Sequence, residues 1–238
     1  MKSDFFSVPV ALLRRQKEET EVNLPVLSHT FLSNYENCPR KAWHMYVAKD
    51  LPKTDPTPEM LEGIRVHEAF EKALKAGKPE TAPHPIMAAV LFNPVAGVLK
   101  VEWSIAISRY GGPVDFWHED AWFRGKVDVA EIGVQVAAIY DWKTGKPREE
   151  PAELERFALL VQANFPQIEK LAGRYAWLKE DRFGPIHDLS DTASTWEALQ
   201  AVDAELRARP IDREWEPTPS GLCPWCPVTS CPHWREKR

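Results

Sequence analysis

The run Cys223-Pro-Trp-Cys226-Pro-Val-Thr-Ser-Cys231-Pro constrains this chain more than any other stretch. It holds three of the four cysteines, and the fourth, Cys38, stands 185 positions before Cys223. A proline follows each of the four. Proline has no N–H and biases the preceding residue toward extended backbone, which suits a loop wrapped around a metal centre and fits poorly inside a helix or strand. In an intracellular chain this uneven grouping points to metal binding rather than disulfides. Four thiolates suit a [4Fe–4S] cluster or an all-cysteine zinc site. Zinc sites usually take two C-x2-C pairs, so the three-plus-one spacing favours iron–sulfur, with zinc as the alternative. Either group obliges the fold to bring the region of Cys38 against the C-terminus, closing it like a clasp.

A second constraint is Ala137-Ala138-Ile139-Tyr140-Asp141-Trp142-Lys143-Thr144-Gly145. The apolar start reads as a buried strand that then delivers Asp141 and Lys143. Residues i and i+2 of a strand share a face, so these two project together with Trp142 on the opposite side. A carboxylate beside a lysine at a strand end can hold a divalent ion and place an amine near its water. D-x-K alone better describes an ordinary same-face ion pair. The preceding strand, Trp122 to Ala130, adds Asp128, thirteen residues before Asp141. A turn at Glu131-Ile132-Gly133 would bring both carboxylates around one ion.

The remaining elements follow from pattern. The arm 1–25 carries a charged, helix-compatible stretch from Arg14 to Glu21. Ser28 caps a helix bearing Phe31, Leu32 and Tyr35, which stops near Asn37-Cys38-Pro39. Arg40 and Lys41, followed by Trp43 and Tyr46, suit phosphate contact and base stacking; for the two rings an aromatic core stripe on a helix is the stronger reading. Met60 to Ala76 is a helix with Leu61, Ile64, Ala69 and Leu74 as its apolar positions and His67 within it. A short helix is expected at Ile86–Phe92. Leu99 to Ile107 alternates as a strand, and three strands with short connections predict an antiparallel meander. Ala152 to Ala176 reads as helical, with Pro166 starting a second helix and Tyr175–Leu178 leading into a final strand. Thr192 to Arg207 is amphipathic and helical.

A length of 238 residues with 44% hydrophobic content suits one large domain with a real core. The net charge of −5 excludes a chain basic all over but not a local basic groove. No apolar run reaches the roughly 20 residues of a membrane helix, and no signal peptide is evident, so a cytoplasmic location without membrane partners is expected.

In the order Cys38-Pro39, Gly63-x3-His67, Gly125-x2-Asp128, Asp141-Trp142-Lys143-Thr144-Gly145 and the three C-terminal cysteines, the chain resembles the RecB-like branch of the PD-(D/E)XK nuclease superfamily. It is similar to the iron–sulfur exonucleases associated with CRISPR systems and to the nuclease domain of AddB helicase–nucleases. The resemblance implies an α/β (α+β) restriction-endonuclease-like core, with a central mixed sheet flanked by helices. One domain would run over 26–238, with the Fe–S motif in 208–238. His67, Asp128 and Asp141 would ligate Mg²⁺ or Mn²⁺, the His favouring Mn²⁺, with the Trp142 carbonyl as a further ligand. Lys143 would orient or activate the attacking water and offset transition-state charge. Glu102 would hold a metal-bound water, or face solvent as an ordinary strand residue.

The resembled family carries Gln-x3-Tyr on the helix after the lysine. Counting back from Phe165-Pro166, the matching positions are Glu153 and Phe157; a shifted alignment makes Gln162 the glutamine. The implied function is a metal-dependent deoxyribonuclease, an exonuclease on single strands or duplex ends. Without a Walker A motif it would act alone or beside a helicase, a recombinase or a CRISPR integration complex, in a prokaryote or a phage-infected cell. The alternatives are a non-catalytic DNA-end-binding or assembly module and a zinc-bound nucleic-acid adaptor.

Overall fold

The structure, a computed structural model, describes residues 24–52, 55–86, 97–147 and 150–236. The arm up to residue 23, including Arg14–Glu21, lies outside the described residues, as does most of the expected Ile86–Phe92 helix. Helices α1 (His29–Asn37) and α2 (Pro39–Ala42) lead into a π-helical turn, Trp43–Ala48. Helix α3 (Pro58–Lys75) follows, then strands β1 (Val98–Ser108), β2 (Pro113–Val114), β3 (Ala121–Ile132) and β4 (Val136–Lys143). Helix α4 (Ala152–Asn164) precedes β5 (Lys170–Trp177), β6 (Arg182–Phe183), β7 (His187–Asp188) and α5 (Thr192–Ala208).

The sheet has the order β2-β1-β3-β4-β5-β6, with β7 also on β5. The expected meander is present as antiparallel β1–β3–β4, its last turn spanning Gly133 to Gln135. β5 pairs parallel with β4, as a crossover through α4 permits, so the sheet is mixed. Two cores cover its faces. Phe31, Leu32 and Tyr35 of α1, Leu154 and Phe157 of α4, and Leu199 and Leu206 of α5 pack on one. Val66 and Phe70 of α3 pack on Val129, Tyr140 and Trp142 on the other. Among the described residues no helix is long and apolar enough to cross a membrane.

Three expectations are corrected. The second helix after Pro166 is instead strand β5; Leu171, Tyr175, Ala176 and Trp177 are buried in it, and half-covering of the other face weakens the polar alternation that marks a half-exposed strand. Tyr175–Leu178 therefore ends this strand rather than leading into another. On α3, Leu61 and Ile64 are 54% and 50% exposed, and the sheet-facing residues are Val66, Phe70 and Ala73. Phe70 decides this, with its ring edge-on to Trp142 at 5.1 Å between centroids.

Ser28 caps α1 as expected, its Oγ accepting from Phe31 N–H at 3.2 Å. The chain's two ends then meet through side chains. Arg40 donates from Nε to the Trp215 carbonyl at 3.2 Å and pairs with Glu214 at 3.0 Å. Trp43 Nε1 donates to the Ile211 carbonyl, and Tyr35 meets the buried Trp215 edge-on at 5.6 Å. Trp43 and Tyr46 pack on the core, as the stripe reading of those rings expects.

Gly125 sets the distance between α4 and β3. A Cβ there would lie 2.9 Å from Phe157 Cε1 and 3.0 Å from Leu160 Cδ1, both buried. Gly125→Ala should therefore displace α4 at a cost of about 1–3 kcal/mol, lowering the thermal midpoint by several degrees. A melt coincident with the wild type's would show that this packing is slack.

Candidate active site

The site forms where two strands part. The last registered pair between β3 and β4 is Val129 with Tyr140, so Asp128 and Asp141 are the first residues beyond it. Asp128 Oδ2 accepts the Trp142 N–H at 2.8 Å, so a side chain substitutes for the next rung of the ladder. Trp142 turns its indole into the α3 core, leaving Asp141 and Lys143 on the opposite face toward α4. The same-face projection read from the sequence is what the structure shows.

On the α3 side, His67 Nδ1 lies 2.9 Å from Glu102 Oε1 and 3.4 Å from Asp128 Oδ1. His67, Glu102 and Asp128 each offer a ligand atom within 4.8 Å of the others. Glu102 stands mid-strand with φ of 47°, a left-handed conformation that costs a non-glycine residue on the order of 1 kcal/mol. Its side chain is 4% exposed and engaged at both ends, by His67 and by Lys126 Nζ at 2.6 Å. Glu102 thus stands among the candidate ligand atoms and is not a solvent-facing strand residue.

On the α4 side, Lys143 Nζ lies 2.6 Å from both Asp141 Oδ2 and Glu153 Oε2. Beyond them a cleft of about 520 Å³ is lined by His29, Ser33, Lys146, Arg156 and Tyr175, among others. Arg156 binds Glu36 at 2.5 Å and meets His29 at 3.1 Å, joining α4 to α1 across the cleft.

The electrostatics show a site with too much buried negative charge. Burial pushes Asp128 up to about 6. Asp141 is raised well above the usual carboxylate range by burial and then by the Asp128 charge. Burial pulls His67 and Lys143 down, but the surrounding carboxylates prevail and hold both above their ordinary values. A divalent cation would relieve that charge, and one imidazole with two carboxylates is a donor set that Mn²⁺ or Mg²⁺ accepts. The residues fit such an ion.

The four cysteines converge at the other end of α1. Cys38, Cys223, Cys226 and Cys231 line one cavity of about 180 Å³ with Lys41, Trp225 and His233, and all are free thiols. Among the described residues, the His67 group is the one set of three or more metal-binding side chains with ligand atoms all within 4.8 Å, so the thiols are more widely spaced.

The family model of the PD-(D/E)XK nuclease superfamily matches residues 92–232, more than half of the chain. The chain belongs to the PD-(D/E)XK nuclease superfamily. Membership makes a nucleic acid the substrate class and phosphodiester hydrolysis with a divalent metal the chemistry. The match takes in β1, β3, β4, α4 and the three C-terminal cysteines; His67 and Cys38 lie before it. The crystal structure of SSO0001 is similar at 15% identity, covering 94% of this chain and 93% of that one with a TM-score of 0.46. No curated protein matches the sequence.

For this superfamily member the structure sorts the remaining candidates by place. Glu153 is at the site, bonded to Lys143. Phe157, one turn on, is buried beneath Gly125, and Gln162 donates to the Ile168 carbonyl and meets Thr192, so both are packed away from the cleft. Arg40 is committed to Glu214 and Trp215, and Lys41 stands at the cysteine cavity, so neither lies at the carboxylates. Sequence reasoning missed His29, Arg156 and Lys126. No local motif marks them, because α1, α4 and β3 meet only in the folded chain.

Proposed function

We propose that this nuclease is a deoxyribonuclease that shortens single strands or duplex ends, closed by a [4Fe–4S] cluster and related to the RecB-like branch. The observation that carries the catalytic reading is the convergence of His67, Glu102 and Asp128 beside an Asp141–Lys143 pair. In this reading His67, Asp128, Asp141 and Glu102 hold the ion, with the Trp142 carbonyl as backbone ligand. A bound Mn²⁺ or Mg²⁺ supplies Lewis acidity at a phosphoryl oxygen and activates water.

The chain's own groups supply orientation and charge. The Trp142 N–H fixes Asp128, and Glu102 holds the His67 ring through Nδ1. Asp141 and Glu153 keep Lys143 protonated, so its ammonium is ready to offset charge developing on the phosphate oxygens. Entry of a phosphate into the cleft would give Lys143 a partner in place of Glu153. Lys143→Ala should lower kcat by roughly 10²–10³-fold while DNA binding in EDTA persists. Unchanged turnover would remove Lys143 from the mechanism.

The three-plus-one spacing of the cysteines supports iron–sulfur over zinc, which usually takes two C-x2-C pairs. All four thiols line one cavity of about 180 Å³. Anaerobically purified protein should be brown; a colourless protein with stoichiometric zinc would decide for the adaptor reading of this end. Digestion of end-labelled single-stranded and duplex DNA with Mn²⁺, Mg²⁺ or EDTA tests the activity. A ladder of shortened products requiring metal is expected, and a folded, brown protein that cuts nothing would favour the end-binding module.

A further inference from the structure

Resting on the nuclease reading, we propose that the exposed face of the β1–β3 hairpin is a single-strand platform, where Trp117 stacks an unpaired base of the strand entering the metal group. Two large rings stand out from this hairpin, Trp117 at 80% and Tyr110 at 76% exposure. Trp117 is not loose. Its ring meets Phe116 edge-on at 4.9 Å, and the Arg124 guanidinium lies 4.6 Å from the Trp117 centroid and 5.0 Å from that of Phe116. Arg124 Nη1 also donates to the Phe116 carbonyl at 3.3 Å, tying the loop to β3. Below the loop, β2 pairs with Ala106 and Ile107 of β1.

The platform is continuous with the candidate active site. Arg124 and Lys126 alternate along β3 toward Asp128, and Lys126 already bonds Glu102 of the metal group. Strand rise puts Arg124 about 13 Å from Asp128, within reach of a strand whose scissile phosphate sits at the ion. An aromatic face pinned by an arginine is what sequence-tolerant base stacking needs, since every base presents a π-face.

The surrounding charge specifies the occupant further. Asp115, Glu119 and Asp120 are exposed on the same loop as Trp117, and Lys126 is already paired with Glu102. Phosphate attraction alone is therefore weak there, and the platform rewards bases over backbone. A duplex keeps its bases stacked within itself and gains nothing from Trp117. With two cations available, this platform adds no more than about −1.4 to the slope of log affinity against log salt.

The test is anisotropy of a labelled oligothymidylate and of a blunt duplex in EDTA, followed by cleavage of both with Mn²⁺. Trp117→Ala should weaken single-strand binding about tenfold or more and lower the single-strand to duplex affinity ratio by the same factor. Trp117→Phe, which keeps a ring, should restore most of that ratio. Equal affinities for wild type and Trp117→Ala, or equal losses on both DNAs, would overturn the platform while cleavage by the wild type upholds the nuclease. A wild type that neither binds nor cuts DNA would overturn both.

Discussion

Asp128→Asn should abolish metal-dependent cleavage and yet raise the stability of the metal-free protein at neutral pH. Loss of one carboxylate from the His67, Glu102 and Asp128 group removes charge that would hold the proposed ion, and a reduction of about 10³-fold or more is expected. The gain in stability follows from the direction of the Asp128 shift. Burial raises this carboxyl from 3.8 to about 6. The folded protein then binds a proton that the unfolded chain has released. The contribution of Asp128 is fully present below pH 3.8 and is lost as pH rises through about 6, so metal-free stability falls across that window. Asparagine carries no charge to bury and keeps an oxygen for the Trp142 N–H. In EDTA the wild-type midpoint should fall relative to the variant as pH rises from 3.8 through about 6, by a few degrees in all, and the difference should then level off. Parallel profiles would show that Asp128 is solvated as easily as an unfolded aspartate, and residual cleavage would place the ion elsewhere.

On the proposed iron–sulfur reading, Cys226→Ser should lose the cluster's visible absorbance and destabilise the protein by about 5 kcal/mol, roughly 10–20 °C. The figure is the entropy of closing a loop between Cys38 and the C-terminal thiols, 185 positions away. Burial holds the Cys226 thiol above its ordinary value, so an unliganded thiolate there is unfavoured, and the proposed metal centre would supply what makes it stable. The protein-only contacts of Arg40, Trp43 and Trp215 keep the ends partly tethered and set the floor to the loss. A variant that stays brown and melts with the wild type would show that Cys226 holds no metal.

Local sequence determined much of this chain. The spacing of Asp141 and Lys143 placed them on one face because strand geometry leaves no alternative, and the Ser28 cap and the β1–β3–β4 meander were legible for similarly local reasons. Proline after every cysteine marked four residues that now line one cavity. What stayed hidden depends on neighbours far apart in sequence. Strand β5 read as helix because one face is half-covered rather than exposed, with the small Ala172 and Ala176 on it, which leaves only a weak polar alternation. The buried face of α3 turned on Phe70 meeting Trp142, so Leu61 and Ile64 were left to solvent. Glu102 read equally as a surface residue, and only the left-handed turn of its backbone brings it to His67. Glu153 and Lys143, ten positions apart, face each other because Gly125 lets α4 settle against the sheet. Periodicity and residue chemistry act through nearest neighbours and were sufficient for elements and motifs. The candidate site, with His67 from α3 and Glu153 of α4 on Lys143, required packing of α3 and α4 on opposite faces of one sheet, which no local pattern encodes.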